Sequence, residues 1–78
     1  MATVKYNLTG VPIQVSKGVK ETYVQSLGGA IFKYAQSTKA PDKNIFHTGR
    51  ELSIGEGFSI WAWNTGEYPV TLIVSTAE

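Results

Sequence analysis

The chain contains no cysteine, so it has no disulfide framework of the kind that supports small secreted scaffolds. It holds one histidine, His47. A zinc site draws three or four ligands from His, Cys and carboxylates, and one chain would have to build it almost wholly from acids. No metal and no cofactor is therefore expected. Charge of one sign is also lacking: seven Lys and Arg against six Asp and Glu leave +1. Sequence-independent nucleic-acid binding needs a clustered basic surface that displaces counterions, and Lys17, Lys20, Lys33, Lys39 and Lys43 are scattered. No apolar run approaches the roughly 20 residues of a membrane-spanning helix. Neither nucleic acid nor membrane is an expected partner. The stretch MATVKYNLTG lacks the charged and apolar regions of a signal peptide, so synthesis in the cytoplasm is expected.

Catalytic parts are scarce as well. Nucleophilic catalysis needs a Ser or Thr beside a base held by a third group, but no G-x-S-x-G elbow occurs. The acids Glu21, Asp42, Glu51, Glu56, Glu67 and Glu78 show no pairing suited to glycoside hydrolysis on strands. Gly55-Glu56-Gly57-Phe58 lacks the further glycine, the lysine and the following helix of a phosphate cradle, and it reads as a turn into a strand. The expectation is a protein that is not an enzyme and has no catalytic residues.

What the chain does have is β-forming sequence, most of it in Phe58–Ser75. Ile, Val, Thr, Trp and Phe dominate Phe58–Trp63 and Val70–Ser75, and Asn64, Thr65, Gly66, Glu67, Tyr68 and Pro69 punctuate the gap. This reads as a hairpin. Upstream, Thr3–Leu8 alternates, with Val4, Tyr6 and Leu8 on one side and Thr3, Lys5 and Asn7 on the other, which predicts a half-buried strand. Gly10 ends it. Ile13 and Val15 lie on a short extended segment that Pro12 restricts to an edge or a strand start, and Ser16-Lys17-Gly18 reads as a turn.

Thr22–Leu27 follows, with its two faces poorly distinguished. Gly28-Gly29 then leads into Ala30–Ala35 and reads as a second hairpin, with a helix over Gly29–Thr38 as the rival. Gln36–Asn44 is the longest polar stretch and a surface loop. Ile45 and Phe46 re-enter the core or cap its end. His47–Arg50 reads as a turn with His47 hydrogen-bonded to backbone, and Glu51–Ile54 as a further strand. Six to seven short strands at intervals of about 8–12 residues predict one all-β domain over residues 1–78, an antiparallel β-sandwich or small barrel.

At 78 residues such a domain has a small core, and association with copies of itself is one way to gain stability. Trp61 and Trp63 share one face of their strand, while Phe58, Ile60 and Ala62 also call for burial. A strand apolar on both faces has one face in its own core and the other covered by something else. The candidate surface is thus Trp61, Trp63, Tyr68, Phe58 and Ile73, serving as a subunit interface or as an aromatic platform for a sugar ring.

The order of motifs adds a resemblance. Thr22-Tyr23-Val24-Gln25-Ser26-Leu27-Gly28-Gly29 precedes a strand, then Ala40-Pro41, His47 through Leu52, Gly55-Glu56, Trp61-Ala62-Trp63 and a closing Val70–Ser75. Over roughly residues 20 to 76 this resembles the small β proteins of tailed-phage and prophage structural-gene clusters. Those carry a V-x-N-x-G strand, an A-P loop, an H-x-L-x-x-G-E segment, a W-A-W-like strand and a terminal V-x-V-S. The chain departs from that pattern with Ser26 in place of Asn and with extra residues between His47 and Leu52. The resemblance implies a viral structural protein of a bacteriophage virion, either a capsid (head) decoration or a tail or fibre component. Such a subunit would act as a homotrimer or other closed homo-oligomer bound to a major capsid or tail protein. The alternative is a carbohydrate-binding or host-adhesion module that takes a glycan on Trp61, Trp63 and Tyr68.

Overall fold

Alternating apolar residues commit most of the chain to strands, and the strands form two sheets packed face to face. The structure, a computed structural model, describes residues 2–64 and 69–76. Among these residues the strands are, in chain order, β1 (Ala2–Leu8), β2 (Ile13–Lys17), β3 (Thr22–Ser26), β4 (Phe32–Gln36), β5 (His47–Gly49), β6 (Glu51–Ile54), β7 (Ser59–Trp63) and β8 (Val70–Thr76), with a 3-10 turn at Leu27–Gly29. One sheet has the order β1-β8-β3-β6 and the other β2-β7-β4-β5. All pairings are antiparallel. This is the strand order of an eight-stranded jelly roll, one of the two-sheet solutions for all-β chains. The expected sandwich is present, with eight strands rather than six to seven.

Three local expectations are corrected. Phe58–Ser75 is not a hairpin, because β7 and β8 belong to different sheets. The same holds for β3 and β4 around Gly28-Gly29. Both glycines do adopt positive φ, 74° and 76°, but they carry the chain from one sheet to the other. His47–Gly49 is not a turn; it pairs with β4, placing His47 opposite Tyr34 and Gly49 opposite Phe32. A side chain at Gly49 would meet Tyr34 Cε1 at 3.1 Å, so the glycine lets the Tyr34 ring lie close over the strand.

The inner faces follow from register. Val70, Leu72 and Val74 on β8 lie opposite Leu8, Tyr6 and Val4 on β1, and Val24 and Ser26 on β3 flank them on the other side. From the second sheet come Val15, Phe32, Ile60 and Ala62. Phe32, Leu72, Val24 and Val74 are fully buried. β3 therefore turns Thr22, Val24 and Ser26 inward and Tyr23 and Gln25 outward, a choice its composition left open.

The connections gather at the two ends. At one end, Asn64 N donates to Thr9 O at 2.8 Å and Ser26 N to Arg50 O at 2.8 Å, tying the β7–β8 link to β1–β2 and β3–β4 to β5–β6. At the other, Gly57 N donates to Gly18 O at 2.8 Å, which joins β6–β7 to β2–β3; the long segment 37–46 leaves from this end.

Candidate functional site

The outer face of the second sheet holds the aromatic residues the sequence singles out. In β7, Ile60 and Ala62 point into the core, so period-two alternation sends Trp61 and Trp63 outward together. On β4 their partners are Ala35 and Lys33, and Thr48 of β5 lies opposite Lys33. The face is not left open. Segment 37–46 crosses it, and Phe46 packs edge-on against Trp63 with centroids 6.1 Å apart at 77°. The Lys33 ammonium sits 4.2 Å from the centroid of the Phe46 ring, a cation–π arrangement. Trp63 is only 1% exposed. Trp61 is half-buried, and its indole N–H donates to Ser37 O at 3.0 Å. The second apolar face of β7 is thus covered by the chain's own segment 37–46.

The predicted residues do not form one surface. Trp61 and Trp63 are on the outer face of the second sheet, and Ile73 is half-buried on the outer face of the first. Phe58 is exposed at the end where β6 leads to β7. Tyr68 lies outside the described residues, as does most of the turn assigned to it. Trp63 presents no free ring face, so a shared platform of Trp61 and Trp63 does not exist in this arrangement. Phe46 was expected to re-enter or cap the core; it covers the opposite face instead. Nothing in its local sequence marks this, because the partner ring comes from a strand 17 positions on.

Beside this aromatic cover lies a cleft of about 380 Å³ lined by Ala35, Gln36, Ser37, Pro41, Asp42, Ile45, Phe46 and His47. The polar groups of its rim are largely engaged in shaping the loop. Asp42 Oδ1 accepts from Asn44 N at 2.9 Å, Asp42 O from Ile45 N at 3.2 Å, and Ser37 Oγ from Lys39 N at 3.3 Å. His47 is exposed, and its ring packs on Tyr34 at 5.4 Å and 31°, in place of the expected backbone partner. Among the described residues no group of three or more His, Asp or Glu could hold a metal ion.

On the outer face of the first sheet, Tyr23 donates its hydroxyl to Glu51 Oε2 at 2.9 Å. That hydrogen bond, with a smaller desolvation effect and the carboxylate's charge, raises the phenol's pKa above its ordinary 10.0.

Large apolar side chains concentrate on the connecting loops. Val11, Leu27 and Ile31 are 67%, 62% and 49% exposed, and they come from loops at the same end. Val19 and Phe58 are exposed at the other end, on loops joined by the Gly57–Gly18 hydrogen bond. Compared with models of protein families, with curated proteins and with solved structures, the chain matches none of them.

Proposed function

We propose that this protein is a non-enzymatic structural subunit that acts by associating with copies of itself and with a larger particle. The observation that carries this reading is the display of Val11, Leu27 and Ile31 on loops at one end of the sandwich. Single exposed apolar residues are ordinary, but several gathered at one end of a small domain favour an interface. The finer reading, an accessory subunit of a bacteriophage virion that decorates a head or joins a tail or fibre, rests on the order of motifs in the sequence. A closed homo-oligomer bound to a major capsid or tail protein fits both.

The glycan-binding alternative is the weaker reading, since Trp63 lies under Phe46 and Trp61 is half-buried. Light scattering across a dilution series tests the proposal. A stable multiple of the 8.5 kDa chain is expected. A monomer at every concentration would overturn self-association as the basis of its function.

A further inference from the structure

An edge strand offers unpaired N–H and C=O groups to another chain unless something blunts it, and the two sheets differ in this respect. In the second sheet, β2 follows Pro12 and its register shifts between Gln14 and Ser16, a bulge at Val15, while β5 is three residues long. In the first sheet, β1 runs for seven residues in unbroken register with β8. β6 pairs all four of its residues with β3 without a shift. Neither contains proline. Both free edges of the first sheet are regular templates.

The two edges also complement each other. Because the order β1-β8-β3-β6 is antiparallel throughout, β1 and β6 run in opposite directions. A second copy laid beside β6 in the same orientation therefore presents its β1 antiparallel. Side chains alternate with period two, so only registers pairing odd with odd and even with even keep the core faces on one side. One of these places Lys5 opposite Glu51, Val4 opposite Leu52 and Thr3 opposite Ser53. It pairs a cation with an anion on the outer face. On the inner face it sets Val4, 45% exposed although it points toward the core, against Leu52, which packs on the edge of that core. Shifting by two residues in one direction puts Asn7 opposite Glu51, and in the other leaves Lys5 beyond the end of β6. Both lose the charge pair. Joining two copies of β1 about Lys5 would oppose like charges, which is unfavourable across strands.

We propose that copies of this chain join head to tail through the first sheet, β1 of one against β6 of the next, in the register that opposes Lys5 to Glu51. This rests on the reading that the chain self-associates; it assigns the contact between copies to a sheet edge and leaves the end bearing Val11, Leu27 and Ile31 to the larger particle. Such a contact is heterologous, and it forms a closed ring where the rotation between neighbours allows.

The test uses the full chain and the absence of native cysteine. Thr3→Cys and Ser53→Cys are both at exposed positions. Mixed and treated with a short bismaleimide, they should form a cross-linked dimer. Neither variant alone should do so, nor should Lys43→Cys, an exposed position outside both surfaces. Lys5→Glu should raise the dissociation constant about tenfold by turning an attractive cross-strand pair into a repulsive one. The double variant Lys5→Glu, Glu51→Lys should restore it. A multimer that survives Lys5→Glu and gives no Thr3–Ser53 cross-link overturns the edge contact while leaving self-association standing. A monomer at all concentrations overturns both.

Discussion

Replacing Phe46 by alanine would uncover the outer face of the second sheet, and the cost can be worked from the packing. Full burial of a phenylalanine side chain contributes about 1.5–3 kcal/mol. With Phe46 39% exposed, about 1–2 kcal/mol of that applies here. The edge-on contact with Trp63 adds about 0.5–1 kcal/mol. The contact with the Lys33 ammonium is near the surface and adds less. The sum is about 2 kcal/mol, which for a domain of this size lowers Tm by about 10 °C. Thermal unfolding followed by circular dichroism measures it. A second readout isolates the cause: in a Trp61→Phe background Trp63 is the only tryptophan, and at 1% exposure it should resist acrylamide quenching. Phe46→Ala should make it quenchable well below the unfolding temperature, whereas Phe46→Leu, which keeps apolar cover, should leave it largely protected. An unchanged Tm together with unchanged quenching would refute the account of segment 37–46 as the cover of this face.

Three further outcomes can be measured on the same material. Gly18 has φ 82°, and an added Cβ would stand 3.4 Å from the backbone of Gly57 and Phe58, so Gly18→Ala should lose about 1–2 kcal/mol. Gly10→Ala, with nothing within 4 Å and no positive φ, should be neutral or gain about 0.5 kcal/mol; equal denaturant midpoints for the two would sink the argument. Ser26 is 3% exposed and its Oγ has no hydrogen-bond partner among the described residues, so Ser26→Ala should stabilise the fold by about 1 kcal/mol, and a lower Tm would mean the hydroxyl is satisfied. Finally, the Tyr23 phenol holds its proton more tightly folded than unfolded, so its contribution is fully present below pH 10.0 and is lost as pH rises through the higher folded value. Ultraviolet titration should show a late-ionising phenol that disappears in Tyr23→Phe, and identical curves for the two proteins would refute the Tyr23–Glu51 bond.

Alternation made much of this fold readable in advance. Val4, Tyr6 and Leu8 share a face as their spacing demands, as do Val70, Leu72 and Val74, because burying one side of a strand fixes which residues lie together. Pairing was not readable. Turn chemistry at Gly28-Gly29 and at 64–69 marks where the chain reverses, but in a two-sheet fold a reversal can cross to the opposite sheet as easily as return to the same one. His47–Gly49 looked like a turn because glycine is rare in strands; the Tyr34 ring over Gly49 is a tertiary fact with no local trace. For the candidate surface, the common face of Trp61 and Trp63 followed from period two. That Phe46 would cover it did not, since the contact joins residues brought together only by the fold.

The position of β8 bears on how the molecule comes into being. This strand lies between β1 and β3, so the first sheet is held together by a strand that leaves the ribosome after all of its sheet neighbours. Until it emerges, β1 and β3 each lack the neighbour that helps bury Tyr6, Leu8 and Val24. The growing chain then carries β1 with no partner in its sheet and β3 paired to β6 alone, each with an open edge. Such pairings, distant in sequence, form slowly and expose apolar surface while they wait. A truncation removing β8 would take one of the two inner strands out of the first sheet, and premature termination near residue 69 should give an insoluble product instead of a shortened domain.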